Sequence, residues 1–349
     1  MSDLNNKTRG ELIRKQILRD VRHHSNDLSK HIASLFSISI QAASNHIRKL
    51  EKEDCLSSTG TGRGKAYFLG DRRNHHQKFE LNENFTEDRV WRDHFSFVFD
   101  DLPENINDIC YYGFTEMVNN VIDHSESKTV SINVFRDKAR IAIVIIDQGE
   151  GIFSRIKRLC NLADERQSIL ELSKGKLTTD PDNHSGEGIF FTSRMFDRFD
   201  IDSKGLNFCH EDKKKLDIFL DSTIMHAEDQ GTMVYMSIDR NSERDIQKVF
   251  DKFTSGADDD FQFNKTIIPL KLATYDNEKL ISRSQAKRVL VRIERFTNVV
   301  FDFEDVPAVG QAFADEIFRV YARKNPNINL IPVNMNQNVE NMVNRAKNH

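Results

Sequence analysis

The rhythm of apolar positions changes several times along the chain, and each change marks a new element. In "RGELIRKQILRDVRHH" Leu12, Ile13, Ile17, Leu18 and Val21 recur at the three-and-four spacing of one helix face. "SNDLSKHIASLF" repeats the spacing with Leu28, Ile32 and Leu35 behind a capping Ser25, Asn26 or Asp27. "SISIQAASNHIRKLEKEDCL" repeats it again with Ile40, Ala43, Ile47 and Leu50. Residues 8–56 are therefore expected to form three helices, and "SSTGTGRGKAYFLG" a Gly-rich turn leading into a strand. Residues 79–126 are expected to be helical, anchored by Phe and Trp.

Strands are then predicted at "TVSINVFRD" and "ARIAIVIIDQG". Ile141 to Ile146 are apolar without interruption, the pattern of a strand buried on both faces. Residues 153–187 are polar and are expected to form a mobile connection. "GIFFTSRMFDRF" predicts a helix, and "KLDIFLDST" and "GTMVYMSID" a pair of strands. Acidic "TSGADDD" (254–260) has the composition of a linker. Beyond it strand and helix patterns alternate: "TIIPLKLA", "SRSQAKRVLVRIERF", "NVVFDFEDV", "GQAFADEIFRVYARK", "INLIPVNM" and "VENMVNRAK". The predicted fold class is α/β, as a multidomain α+β chain, with boundaries at 1–78, 79–250, a linker over 251–264, and 265–349.

Length and charge refine this. A chain of 349 residues suits two or three domains. No run approaches the roughly 18 apolar residues of a membrane span, and the N-terminus has no signal-peptide core, so a cytoplasmic protein without a membrane partner is expected. Cys55, Cys110, Cys160 and Cys209 are widely separated and form no CxxC, which argues against a disulfide framework or a zinc site. Residues 1–80 carry 15 Lys and Arg against 9 Asp and Glu, while the remainder carries 35 against 45. A basic head on an acidic body points to a polyanionic partner for the head alone.

The candidate chemistry lies in the middle. The tetrapeptide Gly-Glu-Gly-Ile occurs twice, 37 residues apart, in "DQGEGI" (147–152) and in "HSGEGIFF" (184–191). Upstream, "FTEMVNNVIDHS" places Glu116, Asn120 and Asp123 or His124 on one helix face. A carboxylate there can activate water, and an amide oxygen is a hard ligand suited to Mg²⁺. Asp147 ends the apolar strand, where it can accept a hydrogen bond from an exocyclic amine such as adenine's. Gly149 and Gly151 let the backbone approach a flat ring. Gly186 and Gly188 precede a helix whose first N–H groups favour an anion. Each piece alone is equally well read as a polar stripe, a tight turn or a helix entry. The two glutamates of the repeat, Glu150 and Glu187, have no evident role.

In this order the pieces resemble the GHKL ATPases, the superfamily of gyrase-type, chaperone, histidine-kinase and anti-sigma-kinase ATP-binding domains, over about residues 90–240. The resemblance implies an α/β sandwich that binds ATP and Mg²⁺. It implies that Glu116 is the catalytic carboxylate and that Asn120 is the metal ligand. Asp147 would hold the adenine amino group beside Gly149 and Gly151, and Gly186 and Gly188 would border the triphosphate. Thr232, after Gly231, would support the adenine pocket. The stretch 153–185 would be the ATP lid, with Lys174, Lys176 and Arg194 as candidates to reach the phosphates. "TGTGRGKAY" fails the Walker spacing, which would require Gly at Thr59 and Ser or Thr at Ala66. His94 is too close to Glu116, and His210 lies after the ATP motifs, so neither suits the phosphoacceptor of a sensor kinase.

Residues 8–70 resemble a winged helix-turn-helix. That likeness implies that Gln41, Ser44, Asn45 and Arg48 face a major groove of double-stranded DNA and that Arg63 and Lys65 meet phosphate; use of the same fold for protein contacts is the alternative. Residues 265–346 resemble the STAS-like domains of unknown function found behind GHKL domains, on "FDFEDVPAVGQAFADEIFRVY". STAS antagonists carry a phosphorylatable Ser near this helix start. Here Val306-Pro307-Ala308-Val309-Gly310 offers no hydroxyl, so a protein-docking tail is expected instead. The combined expectation is a slowly hydrolysing, ATP-binding, DNA-binding transcriptional regulator, with room for a homodimer. The alternatives are an anti-sigma-type serine/threonine kinase acting on a separate protein, and a non-catalytic ATP sensor.

Overall fold

In the computed structural model, which describes residues 2–177, 186–211, 216–221, 229–254, 263–274 and 279–348, the first three apolar stripes form α1 (Ser2–Asp20), α2 (Leu28–Phe36) and α3 (Ile40–Lys52). The chain divides into two compact units, residues 1–76 with 133–142, and residues 77–132 with 143–349.

In the first unit Ile13, Ile17 and Val21 of α1 meet Leu28 and Ile32 of α2 and Ala43, Ile47 and Leu50 of α3 in one core. Leu12, Leu35 and Ile40 lie at the rims of their stripes and stay exposed. The Ser39 hydroxyl accepts from the Ala42 N–H and fixes the start of α3. Asp27 occupies the cap position of α2 without a capping bond, because its carboxylate pairs with His24 at 3.1 Å. Strands β1 (Leu56–Thr59) and β2 (Ala66–Leu69) form an antiparallel hairpin around a short turn at Gly62–Gly64.

β3 (Arg73–Glu80) was not expected from the pattern. Its inward positions are Arg73, His75, Gln77 and Phe79, mostly polar, so the period of two is invisible in hydropathy. α4 (Glu87–Val90), a π-turn (Trp91–Phe95) and α5 (Ser96–Phe99) lead to the long α6 (Glu104–His124). Ile106, Ile109, Cys110, Phe114, Met117, Val118 and Val121 form its buried face. β4 (Thr129–Arg136) alternates strictly between buried and half-buried residues, and β5 (Arg140–Asp147) follows. Ile146 is 36% exposed, so β5 is not covered on both faces along its whole length.

The polar stretch after β5 is largely helical, as α7 (Ile152–Cys160) and α8 (Arg166–Lys174), rather than a mobile connection over its length. Residues 178–185, within the expected lid, and 255–262, within the expected linker, lie outside the described residues. α9 (Gly188–Met195) stops earlier than its pattern suggests, because "RFDIDS" is β6 (Arg198–Ser203). β7 (Leu206–Glu211), β8 (Leu216–Asp221), β9 (Met233–Asp239) and α10 (Ile246–Phe253) complete the segment.

The parts of β3, β4 and β5 that belong to the second unit join the later strands in a sheet of order β3-β4-β5-β9-β6-β7-β8. The expected pairing of β8 with β9 is therefore corrected. β9 pairs antiparallel with β6, through Ile201 and Val234, and β8 pairs with β7, through Cys209 and Ile218. β6 escapes the pattern because Asp200 and Asp202 are buried along with Phe199 and Ile201, which erases the alternation. α6 packs against α9, and α9 against β6.

The tail of the second unit holds β10 (Lys265–Pro269), α11 (Arg283–Leu290), β11 (Asn298–Asp302), α12 (Gln311–Asp315), α13 (Ala322–Lys324), β12 (Asn329–Val333) and α14 (Gln337–Lys347). β10, β11 and β12 form a parallel sheet, which requires the long helical crossovers seen here. Ser282 and Gln285 start α11 with a reciprocal capping box. No helix among the described residues is long and apolar enough to cross a membrane.

Candidate functional site

Segments distant in sequence meet around one cavity of about 340 Å³ in the second unit. Glu116, Asn120, Asp147, Gly151, Gly186, Gly188 and Thr232 all line it. The spacing of four on α6 brings Glu116 and Asn120 to the same wall, and Asp123 and His124 extend it. Met117, Ile152, Ile156, Leu172, Ile201 and Val234 make the rest largely apolar. Polar and apolar groups thus share the lining, and a concavity in which polar groups converge beside apolar walls is a usual form of a small-molecule site.

Asp147 is the best-fixed polar group. It is 4% exposed at the end of β5, and its N–H donates to the Thr232 carbonyl at 3.0 Å. Its Oδ1 accepts from the Gly149 N–H at 2.8 Å, and the Thr232 hydroxyl bonds its carboxyl group as well. The same hydroxyl accepts from the Ile152 N–H at 3.0 Å, which ties the start of α7 to the carboxylate. Burial pushes the Asp147 carboxyl up to about 6, against the opposing effect of its bonds to Gly149 and Thr232.

Gly149 does not line the cavity. A Cβ there would lie 1.8 Å from the Ser125 carbonyl oxygen, which also accepts the Glu150 N–H at 3.1 Å. Its role is close backbone approach behind Asp147. Gly149→Ala is therefore expected to force a backbone shift costing about 1–3 kcal/mol. The single tryptophan, Trp91, is buried in this unit and stacked on Phe99 at 4.0 Å, so its fluorescence reports the unfolding of this unit. The urea midpoint read at Trp91 should fall; an unchanged midpoint would refute the packing argument.

Gly188, in the second repeat, approaches Glu116. A Cβ at Gly188 would lie 2.0 Å from Glu116 Oε2. The start of α9 therefore abuts the carboxylate of α6. Gly186 closes the adjoining turn through its carbonyl, which accepts the Leu177 N–H at 3.1 Å.

Glu150 gains a role that the sequence did not reveal. It takes Arg158 in a two-pronged ion pair at 2.8 and 2.6 Å, and this bond to Arg158 holds its carboxyl below the usual range. Arg155, also on α7, lines the cavity and pairs with Glu126 at 2.8 Å. It was missed because a stretch read as a loop gives spacing no face to act on.

The three cations expected near phosphate do not line the cavity. Lys174 Nζ is buried against Glu171 Oε1 at 2.6 Å, and Lys176 Nζ donates to the Arg295 carbonyl at 3.1 Å. Arg194 bonds Ser193 Oγ at 2.6 Å and lies over the Phe190 ring. Lys and Arg in a polar run signal charge, and their direction is set by tertiary packing that the run does not encode. Among the described residues no group of three or more His, Cys, Asp and Glu could hold a metal ion. Among the side-chain oxygens at the cavity wall are the Glu116 carboxylate and the Asn120 amide, whose N–H makes a weak contact to Met117 Sδ at 3.9 Å.

In the first unit Gln41, Asn45 and Arg48 are exposed and Ser44 is half-buried, on the side of α3 away from Ala43, Ile47 and Leu50. Lys65 is bound to Glu51 Oε1 at 3.0 Å and sits 4.8 Å from the Tyr67 ring centre, so a phosphate would compete with an internal partner. The Arg63 side chain lies outside the described residues.

Residues 285–340 match a family described as STAS-like domain of unknown function (DUF4325). The match runs from α11 through β11, α12 and β12 into α14. No match is found among the curated proteins.

Proposed function

We propose that the cavity binds ATP together with Mg²⁺, and that the protein is a nucleotide-controlled DNA-binding regulator. The observation that carries this reading is the buried Asp147, which shares one cavity with Glu116, Asn120 and both Gly-Glu-Gly turns. That combination is the one a GHKL-type ATP site requires. Asp147 accepts the exocyclic amino group of the purine, and the apolar walls take its ring faces. The N-terminus of α9 favours the phosphate charge. The hard oxygen of Asn120 suits Mg²⁺, which typically takes few protein ligands and completes its shell with water and phosphate oxygens. Mg²⁺ supplies charge neutralisation of the phosphates. Glu116 orients the attacking water and takes its proton. Equilibrium dialysis of the full chain with ATP and Mg²⁺ tests the reading directly, and absence of binding would sink it.

The first unit supports the DNA half of the reading by its basic balance, its three helices and hairpin, and the polar outer face of α3. Binding is best measured by fluorescence anisotropy on duplexes selected from genomic fragments. Arg48→Ala is expected to weaken the selected complex by about 1–3 kcal/mol, since one good base contact contributes roughly that much discrimination. Unchanged binding would reassign α3 to protein contacts. Labelled ATP incubated with cell extract separates the regulator from a kinase. Free phosphate alone fits a switch, whereas label on a second protein would move the reading to an anti-sigma-type kinase.

A further inference from the structure

The stretch Leu172–Leu177 faces two ways. Leu172 and Leu177 line the cavity. Between them, Lys174 and Lys176 hold the C-terminal α/β part of the same unit. Lys174 is 1% exposed; its Nζ bonds Glu171 at 2.6 Å and the Val291 carbonyl at 2.8 Å. Its own carbonyl accepts from Thr266 Oγ1 at 2.6 Å. The Lys176 carbonyl accepts from Arg292 Nη2 at 2.9 Å and Arg295 Nη1 at 2.7 Å. The Lys176 ammonium lies 5.5 and 5.0 Å from the ring centres of Phe263 and Phe296. Six residues thus serve as a cavity wall on one side and as a dock for β10 and the end of α11 on the other.

We propose that this stretch is a latch that links ligand occupancy of the cavity to docking of the STAS-like part: ATP binds more tightly when the latch is engaged, and the latch is held more firmly when ATP is bound. The inference rests on the ATP reading of the cavity. Its physical basis is the set of bonds that cross to the tail at a buried charge: Lys174 Nζ to the Val291 carbonyl, Thr266 Oγ1 to the Lys174 carbonyl, and Arg292 and Arg295 to the Lys176 carbonyl. Glu171 lies on the same helix as Lys174 and moves with it, so partial release leaves the buried ammonium one partner short and the carbonyls unpaired, which disfavours intermediate positions. The wall formed by Leu172 and Leu177 therefore has an engaged arrangement and a released one, with little between. A ligand that packs on the engaged wall shifts the balance towards it. Linkage then requires the tail to influence the ligand by the same factor.

The test uses the full chain. Arg292→Ala combined with Arg295→Ala removes both guanidinium bonds to Lys176 without touching a cavity-lining residue, and should weaken ATP binding by about five-fold or more. Thr266→Val removes one bond at the same dock and should move affinity in the same direction by less. In the unmodified protein, ATP should slow hydrogen exchange of the amides at 290–297 and 265–268. Should the double variant fail to fold, Thr266→Val and this exchange measurement decide. Wild-type ATP binding with unchanged variant affinity and unchanged exchange at the dock overturns the latch alone. No ATP binding by the wild type overturns the ATP reading, and the latch with it.

Discussion

Asp147→Asn is expected to abolish the proposed ATP binding and to leave the second unit at least as stable as before. In the native site Oδ1 takes the Gly149 N–H and the Thr232 hydroxyl also bonds the carboxyl, and the lone pairs that remain can accept from a purine amino group. An asparagine that keeps its oxygen on Gly149 turns its NH₂ towards the ligand, so donor meets donor. Reversing the amide sets the same conflict against Gly149. The stability term has the opposite sign. Burial pushes the Asp147 carboxyl up to about 6, from its ordinary 3.8. A group raised on folding contributes stability that is fully present below its unfolded pKa and is lost as pH rises through the folded value. Ionised Asp147 therefore costs about 3 kcal/mol at neutral pH, a cost that Asn does not carry. Titration calorimetry at neutral pH and the Trp91 urea midpoint give both readouts. Wild-type ATP binding should also weaken as pH falls through about 6. Equal affinity in the two proteins would remove Asp147 from the site.

Glu116→Gln separates chemistry from binding. Glutamine fills the same space beside Gly188 but cannot accept a proton. Positioned general bases contribute about 10²–10⁴ to rate, so phosphate release should fall by that factor while ATP affinity stays near wild type. Turnover unchanged in Glu116→Gln would leave the carboxylate no proton-transfer role and favour a pure ATP sensor.

What the sequence made legible follows from how locally each feature is encoded. The stripes of α1 to α3 and the alternation of β4 depend on neighbours a few residues away, and those elements formed where the pattern put them. That Asp147, Glu116, Gly151, Gly186 and Gly188 would meet at one cavity was expected from their order along the chain, and the structure brings these five together, while Gly149 lies behind Asp147. β3 and β6 were not, because their inward positions hold Arg73, His75, Asp200 and Asp202, whose burial depends on distant partners. The same limit applies to Lys174, Lys176 and Arg155. The first two turned from the cavity to the tail, and the third turned into the cavity from a stretch read as a polar connection although Ile152, Phe153, Ile156 and Leu159 recur there at helical spacing.

The place of β9 in the sheet has a consequence for how the protein is made. β9 lies between β5 and β6, so Asp147 receives its backbone and hydroxyl support from Thr232, a residue synthesised 85 positions later. Non-local pairings of this kind close late, because the loop entropy is spent before the contact is gained. The pocket is therefore expected to close after α6, β4 and β5 have formed. A nascent or truncated chain that ends before Thr232 holds Glu116, Asn120 and Asp147 without the strand that fixes them.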